Sequence, residues 1–211
     1  MKDVFLIRHA ESLANIGEAT TSPAEIPLSE AGLKQASDLA AASAVRPDLM
    51  VYSPYRRAKQ TAQPFLEKYA DVTAEELPVQ EFTYLSVSRC RGTNREQRKP
   101  WVNEYWQRAD PNYSDGDQAE SFGEFMARCA RFKLAMAEIE FEVAFVFTHE
   151  QFIKGLVWTN LIQIADSASM SGFYSFDHAF RIPNVAAMHS MIDADGHSYF
   201  GNLDASHQIN A

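Results

Sequence analysis

The chain has 211 residues, of which 46% are hydrophobic and 22% charged, a composition typical of one soluble globular domain. Its formal net charge of −9 disfavours bulk attraction to nucleic acid or to an anionic membrane. Its two cysteines, Cys90 and Cys129, suit neither a disulfide framework nor a metal cluster, and no apolar stretch has the length of a signal peptide or a membrane span. We expect a cytoplasmic protein with no nucleic-acid or membrane partner.

Strand and helix patterns alternate along the first part of the chain. Residues 4–7 are apolar on both faces, as a central parallel strand should be. Ser29 is typical of a helix N-cap, and apolar residues at helical spacing follow it. Residues 49–52 predict a second buried strand, after which Ser53 and Pro54 predict the cap and the first position of another helix.

The later part of the chain continues this alternation after one irregular stretch. Residues 77–80 suggest a short strand, which Pro78 restricts to a sheet edge. Residues 82–118 lack a clear period. The remaining predicted elements are a helix over 120–139, a buried strand over 143–147, a helix over about 151–164, and a hairpin of 185–192 and 197–200 around Asp193-Ala194-Asp195-Gly196.

This order of elements predicts a three-layer α/β/α sandwich, with a mostly parallel central sheet and an antiparallel edge. We expect a single domain over residues 1–211. Residues 82–118 are too long for a simple connection, so we expect them to form a lid-like insertion over the active site.

Polar groups of similar chemistry follow three of the predicted strands. The strands end in Arg8-His9, in Ser53 followed by Arg56-Arg57, and in Thr148-His149. Each group alone is more often structural or solvated. Because the carboxyl ends of adjacent parallel strands meet at one edge of a sheet, however, we expect these side chains to converge. Histidine can act as a nucleophile near neutral pH, and the arginine fork suits phosphate oxygens. The pattern predicts an anion pocket that holds a nucleophile.

Five segments along the chain carry a more specific signal. In chain order they are Arg8-His9-Ala10-Glu11-Ser12 with Asn15; Pro27-Leu28-Ser29 with Gly32, Gln35 and Ala36; Ser53-Pro54-x-x-Arg57-Ala58-x-Gln60-Thr61-Ala62; Glu120-Ser121-Phe122; and Phe147-Thr148-His149. Together they resemble the histidine phosphatase superfamily, also called the phosphoglycerate mutase-like family. The resemblance implies a phosphatase that hydrolyses a phosphate ester through a phosphohistidine, with no metal and no other cofactor.

The resemblance also implies a role for each matching residue. His9 is the expected nucleophile, and Glu81 is the expected acid/base carboxylate, whereas the nearby Glu75 and Glu76 are interpreted as solvated surface residues. The phosphate pocket is expected to be lined by Arg8, Arg57, His149, Asn15 and Ser12. A protonated His149 would donate to the phosphoryl oxygens beside the two arginines, in place of a metal.

Two residues depart from the family pattern. Ala10 stands where the family often has glycine, which is a small change if the local φ is negative. Glu150 stands where a glycine often follows the second histidine. Its carboxylate would either raise the pKa of His149 or point into solvent, and we expect the second arrangement.

The insertion is locally basic and aromatic. It carries Arg89, Arg91, Arg95, Arg98 and Lys99 against Glu96, followed by Trp101, Tyr105 and Trp106. One interpretation is a lid that grips a second anionic group or a flat ring. The other is a solvated loop and a helix that docks through its aromatic residues. The sequence leaves both open.

Three functions fit the predicted pocket. A phosphomonoesterase is favoured over a phosphoglycerate mutase, because Glu81-Phe82-Thr83-Tyr84 lacks the Glu-Arg-x-Tyr-Gly pattern of the mutases. A phospho-ligand binding protein without turnover is disfavoured by the complete set of His9, Arg57 and His149. The expected partner is a small phosphorylated substrate, phosphate or sulfate would occupy the same pocket, and the sequence leaves a homodimer open.

Overall fold

The computed structural model describes residues 1–204 and 209, so the rest of the expected domain lies outside the described part. The elements in chain order are β1 (Lys2–Arg8), α1 (Glu30–Ala42), β2 (Leu49–Tyr52), α2 (Arg56–Lys68), β3 (Thr73–Glu76), α3 (Val87–Cys90), α4 (Arg95–Arg108), α5 (Phe122–Glu138), β4 (Val143–Thr148), α6 (Glu150–Leu161), α7 (Ser167–Ala179), β5 (Ala187–Ile192) and β6 (Ser198–Asp204). Among the described helices, none has both the length and the apolar character needed to cross a bilayer.

The strands form one sheet in the order β3-β2-β4-β1-β5-β6. Neighbouring strands from β3 to β1 run parallel, whereas β5 is antiparallel to β1 and β6 is antiparallel to β5. The predicted α/β architecture, with a mostly parallel sheet and an antiparallel edge, is confirmed.

Both faces of the sheet are covered, because successive side chains of its central strands point to opposite sides. Phe5 and Ile7 of β1 pack with residues of α1 and α2 on one face. Val4 and Leu6 pack with residues of α5, α6 and α7 on the other. Each large side chain buried in this way contributes about 1.5–3 kcal/mol to folding. The two apolar layers therefore fix the central strands, and with them the positions at which those strands end.

The strand register brings the ends of β1, β2 and β4, after which the candidate site residues follow, to one edge of the sheet. Arg8 pairs with Thr148 across β1 and β4, and Tyr52 pairs with Phe147 across β2 and β4. The residues that follow β1 and β2 continue the pairing, since the His9 amide donates to the Thr148 carbonyl at 2.9 Å and the Ser53 amide donates to the Phe147 carbonyl at 3.0 Å. The polar residues that follow these three strands consequently start from the same edge of the sheet.

Two local predictions at the ends of β2 and β3 are wrong. The strand expected over residues 77–80 lies earlier, at Thr73–Glu76, because the edge position exposes β3 and removes the need for an apolar pattern. Ser53 is not a helix cap, because α2 begins at Arg56 with Tyr55 at its N-cap. The Ser53 hydroxyl instead accepts a hydrogen bond from the Tyr55 amide at 3.2 Å.

The segment expected to be irregular, 82–118, contains α3 and a helix of 14 residues, α4. A reciprocal capping box between Asn94 and Gln97 starts α4. Only Tyr105 and Trp106 of this helix are buried, and Pro100 lies inside it. The helix therefore has no continuous apolar stripe that a periodicity argument could detect.

Candidate active site

His9 is buried at the end of β1, and hydrogen bonds determine which of its ring nitrogens carries the proton. Nδ1 lies 2.7 Å from the carbonyl oxygen of Ala10, and Nε2 lies 3.1 Å from Nε of Arg57. A carbonyl can only accept and a guanidinium can only donate, so Nδ1 is protonated and Nε2 holds the lone pair. Neighbouring contacts fix the backbone here, because Asn184 Nδ2 donates to the His9 carbonyl at 2.8 Å and the Ala10 amide donates to Thr61 Oγ1 at 3.0 Å. The ring is therefore held with Nε2 as its unprotonated nitrogen.

The surroundings of His9 keep it neutral. Burial lowers its pKa well below the ordinary 6.5, and the positive charges of Arg57 and Arg8 lower it further. Only a neutral imidazole can attack an electrophile, so the environment that depresses this pKa also maintains the reactive form near neutral pH.

His149 lies beside His9, with 5.1 Å between the two ring centroids. It is fully buried, and its Nε2 is 2.8 Å from the hydroxyl of Ser53. Its Nδ1 has no hydrogen-bond partner within the described residues. Burial, followed by the charge of Arg57, lowers the pKa of His149 well below 6.5. Both influences favour the neutral form of the ring in the free site.

Two arginines flank the histidine pair. The Arg8 Nη1 group donates to the carbonyl of Ile182 and lies 3.0 Å from a carboxylate oxygen of Glu150. Its Nε is buried and has no hydrogen-bond partner within the described residues. Arg57 Nη1 donates to the carbonyl of Pro23 at 2.7 Å. Burial lowers the pKa of Arg57 to about 10, which leaves it cationic at neutral pH.

Glu81 lies against the first turn of α6. Its Oε1 accepts hydrogen bonds from the amides of Gln151 at 3.0 Å and Phe82 at 3.3 Å. Burial nevertheless raises the pKa of Glu81, and the nearby Arg57 opposes this shift only in part. The result is a held carboxyl that takes up a proton more readily than a solvated one. Glu76, by contrast, is exposed on β3 and pairs with a surface lysine.

Asn15 and Ser12 form the outer side of the site. Asn15 is exposed, and its Oδ1 accepts hydrogen bonds from the amide and the hydroxyl of Ser12 at 3.0 and 2.9 Å. Because Oδ1 is occupied as an acceptor, the amide nitrogen of Asn15 remains as a hydrogen-bond donor. Ser12 is buried, and in this structure its hydroxyl holds Asn15 in place.

The two departures from the family pattern have different structural outcomes. Ala10 does not adopt a positive φ, so its methyl group is accommodated without strain. The expectation that Glu150 points into solvent is wrong. Its side chain is 12% exposed and pairs with Arg8 at 3.0 Å and with Lys154 at 2.8 Å. Lys154 is also 2.8 Å from Asp177 of α7. Sequence reasoning missed Lys154 and Asp177, for which the only signal was the i,i+4 spacing of Glu150 and Lys154.

A cavity of about 200 Å³ adjoins this site on the side of the insertion, and we name it the insertion pocket. Its lining residues are Pro23, Ile26, Arg57, Glu81, Phe82, Thr83, Tyr84, Leu85, Cys90 and Arg98. Arg57 and Glu81 belong to both the pocket and the site, so the two lie side by side.

Comparison with known proteins agrees with this geometry. The sequence profile of the histidine phosphatase superfamily (branch 1) matches residues 4–171. The chain belongs to the histidine phosphatase superfamily. The prediction of the family is confirmed, and so is the enzyme class that it implies, a phosphoric monoester hydrolase.

The individual proteins and structures that resemble this chain have low sequence identity to it. The chain is 29% identical over 167 residues to the adenosylcobalamin/α-ribazole phosphatase of Escherichia coli (strain K12), a match that covers 73% of this chain and 76% of that protein. It superposes on the α-ribazole phosphatase of Shigella flexneri with a TM-score of 0.74 and 21% identity, covering 99% of this chain and 98% of that one. A mutant phosphoserine phosphatase of Entamoeba histolytica in complex with phosphoserine gives a TM-score of 0.73, 19% identity and 98% coverage of both chains. At these identities the two structures establish the shared fold.

Proposed function

We propose that this histidine phosphatase is a metal-independent phosphomonoesterase that hydrolyses a small phosphate ester through a phosphohistidine at Nε2 of His9. The observation that carries the proposal is the fixed tautomer of His9, with its Nε2 lone pair 3.1 Å from the guanidinium of Arg57. A neutral nucleophile is thus held beside the cation that would bind the group it attacks.

The first step transfers the phosphoryl group to the enzyme. Nε2 of His9 attacks phosphorus in line, an Nε2–P bond forms and the ester P–O bond breaks. Protonated Glu81 gives its proton to the departing alkoxide, which its raised pKa favours. Arg57 exchanges its hydrogen bond to His9 for one to a phosphoryl oxygen, and Arg8 donates from its unpartnered Nε.

The incoming phosphate changes the protonation of His149. The pKa of this residue is depressed in the free site by burial and by neighbouring arginines. A phosphate dianion beside the ring offsets those positive charges and raises the pKa again. His149 therefore gains a proton when substrate binds and becomes a donor to the phosphoryl oxygens.

The second step releases the product. A water molecule occupies the place of the departed alcohol, and the carboxylate form of Glu81 takes its proton as the water oxygen attacks phosphorus. The Nε2–P bond breaks, inorganic phosphate leaves, and His9 returns to its neutral form. Glu81 is protonated again, so the enzyme is ready for another cycle.

Hydrolysis of p-nitrophenyl phosphate tests this proposal. We expect His9→Ala to abolish release of p-nitrophenol and His197→Ala, which alters an exposed histidine at the hairpin tip, to leave the rate unchanged. Arg57→Gln should lower the rate on the order of 100-fold, because it removes one charged donor. Dialysis against a chelator should have no effect. Retained activity in His9→Ala, or a chelator effect that a divalent ion reverses, would contradict the proposal.

A further inference from the structure

The insertion pocket is bounded by cationic groups from two parts of the fold. Arg57 reaches it from α2 and belongs to the phosphate-binding set, whereas Arg98 reaches it from α4 in the insertion. Between them the walls are mostly apolar, with Ile26, Phe82 and Leu85 among the lining residues. The pocket thus offers a charged group beyond the site where the phosphoryl group would bind.

Arg98 is held firmly by uncharged acceptors. Its Nε donates to Thr93 Oγ1 at 2.7 Å, and its Nη2 donates to Thr20 Oγ1 at 2.6 Å and to the carbonyls of Thr93 at 2.6 Å and Cys90 at 3.2 Å. The segments that carry Thr20 and Thr93 are themselves joined by backbone pairing. Four hydrogen bonds therefore fix the direction of this guanidinium before any ligand arrives.

The charge of Arg98 is uncompensated within the described residues. Two other cations of the insertion are paired, since Arg89 lies 3.0 Å from Asp115 and Lys99 lies 2.6 Å from Glu96. Arg98 has no such carboxylate, and its Nη1 makes no hydrogen bond to any described residue. Nη1 carries two N–H donors. A partly buried cation that is anchored on one side and free on the other is suited to bind an anion.

The size of the pocket limits the size of the molecule that could carry this anion. Its volume of about 200 Å³ lies below the roughly 300–1,000 Å³ of cavities that enclose drug-sized ligands. The walls near Phe82 and Leu85 favour methylene groups or a small ring over a polar sugar. A small alcohol with an apolar middle and a terminal anion fits the volume of the pocket, its apolar walls and the cation of Arg98.

We propose that the insertion pocket receives the alcohol portion of the ester, and that Arg98 binds a carboxylate on that alcohol. The proposal deepens the proposed function, because it names the substrate class: small phosphate esters whose alcohol carries a carboxylate. Arg98 acts on specificity rather than on the reacting atoms.

Binding of non-hydrolysable phosphonates tests the proposal without relying on turnover. Calorimetric titration would compare alkylphosphonates with ω-carboxyalkylphosphonates over a series of chain lengths. We expect at least one carboxylated member to bind the wild-type protein about 10-fold or more tightly than its uncarboxylated partner, the effect of one charge-assisted hydrogen bond. Arg98→Gln should remove this gain and leave the affinity for the alkylphosphonates within about 2-fold.

Arg91→Gln is the matched control, because Arg91 is an exposed arginine of the insertion that does not line the pocket. It should retain the gain, which excludes a general effect of insertion charge. Arg98→Lys keeps the charge and loses the fork, so it should retain part of the gain. It provides the second test if Arg98→Gln folds poorly. A series with no carboxylate gain in the wild type, or a gain that survives in folded Arg98→Gln, would overturn the proposal. Failure of the wild-type protein to hydrolyse p-nitrophenyl phosphate would instead count against the proposed function.

Discussion

Lys154 is the most deeply buried cation of the network behind the site, and its removal gives a quantitative test of that network. Its side chain is 1% exposed, and Nζ contacts Glu150 at 2.8 Å, the Asp177 carboxylate at 2.8 Å and the Asp177 carbonyl at 2.7 Å. Lys154→Met keeps most of the side-chain volume and leaves both carboxylates without this partner. Water cannot replace it at this depth.

The expected cost follows from that burial. Glu150 would still have Arg8 at 3.0 Å, and Asp177 would keep the weaker contact from Gln151 at 3.2 Å. Removing one partner of a buried ion pair costs about 3–5 kcal/mol of unfolding free energy. In a chain of this length that corresponds to a fall in Tm of roughly 6–20 °C.

Lys34→Met is the control, because Lys34 forms a pair of similar length, 2.6 Å, with Asp38 on the exposed face of α1. Their side chains are 75% and 60% exposed, so this pair should contribute less than about 0.5 kcal/mol. Urea unfolding followed by circular dichroism measures both changes. Equal destabilisation by the two substitutions would show that burial does not determine the cost of losing a salt bridge in this protein.

Two further predictions concern catalysis. Glu81→Gln should slow hydrolysis of an alkyl phosphate on the order of 100-fold or more, because the alkoxide needs a proton to leave. With p-nitrophenyl phosphate, whose leaving group departs without a proton, the same variant should give a stopped-flow burst of p-nitrophenol, because only the second step still needs a base. Absence of a burst would count against the role of Glu81. The pH profile of kcat/KM for an alkyl phosphate should have its acid limb well below 6.5, since the depressed pKa keeps His9 neutral down to that region. The profile should also fall on the alkaline side as Glu81 loses its proton above its raised pKa, and an alkaline limb that persists in Glu81→Gln, after correction for ionisation of the ester, would contradict this assignment.

The central strands were predictable because their packing is simple. β1, β2 and β4 are buried on both faces, so each appears in the sequence as a short continuous apolar run. Parallel neighbours end at the same edge, and this rule alone brings His9, Arg57 and His149 together. The resemblance to a known family then added Glu81, which follows no buried strand and lacks a distinctive local pattern.

The parts that the sequence did not predict depend on contacts between distant segments. α7 begins at the N-cap Asp166 and buries only Ser169, Met170 and Phe173, so its apolar signal is weak. Asp177 of this helix meets Lys154 of α6 only after both helices pack on the sheet. Ser53 has the composition of a helix cap, but the backbone turn that follows β2 directs its hydroxyl to His149. Local propensity cannot distinguish these outcomes, because tertiary packing selects among them.

Trapping of the covalent intermediate shows which residue carries the phosphoryl group during turnover. Glu81→Gln would be mixed with p-nitrophenyl phosphate, quenched within one turnover and mapped by mass spectrometry under alkaline conditions, which preserve phosphohistidine. We predict one phosphoryl group per chain, attached to His9, and none when His9→Ala is combined with Glu81→Gln. A phosphoryl group on another residue, or turnover without any phosphorylated enzyme, would exclude His9 as the nucleophile.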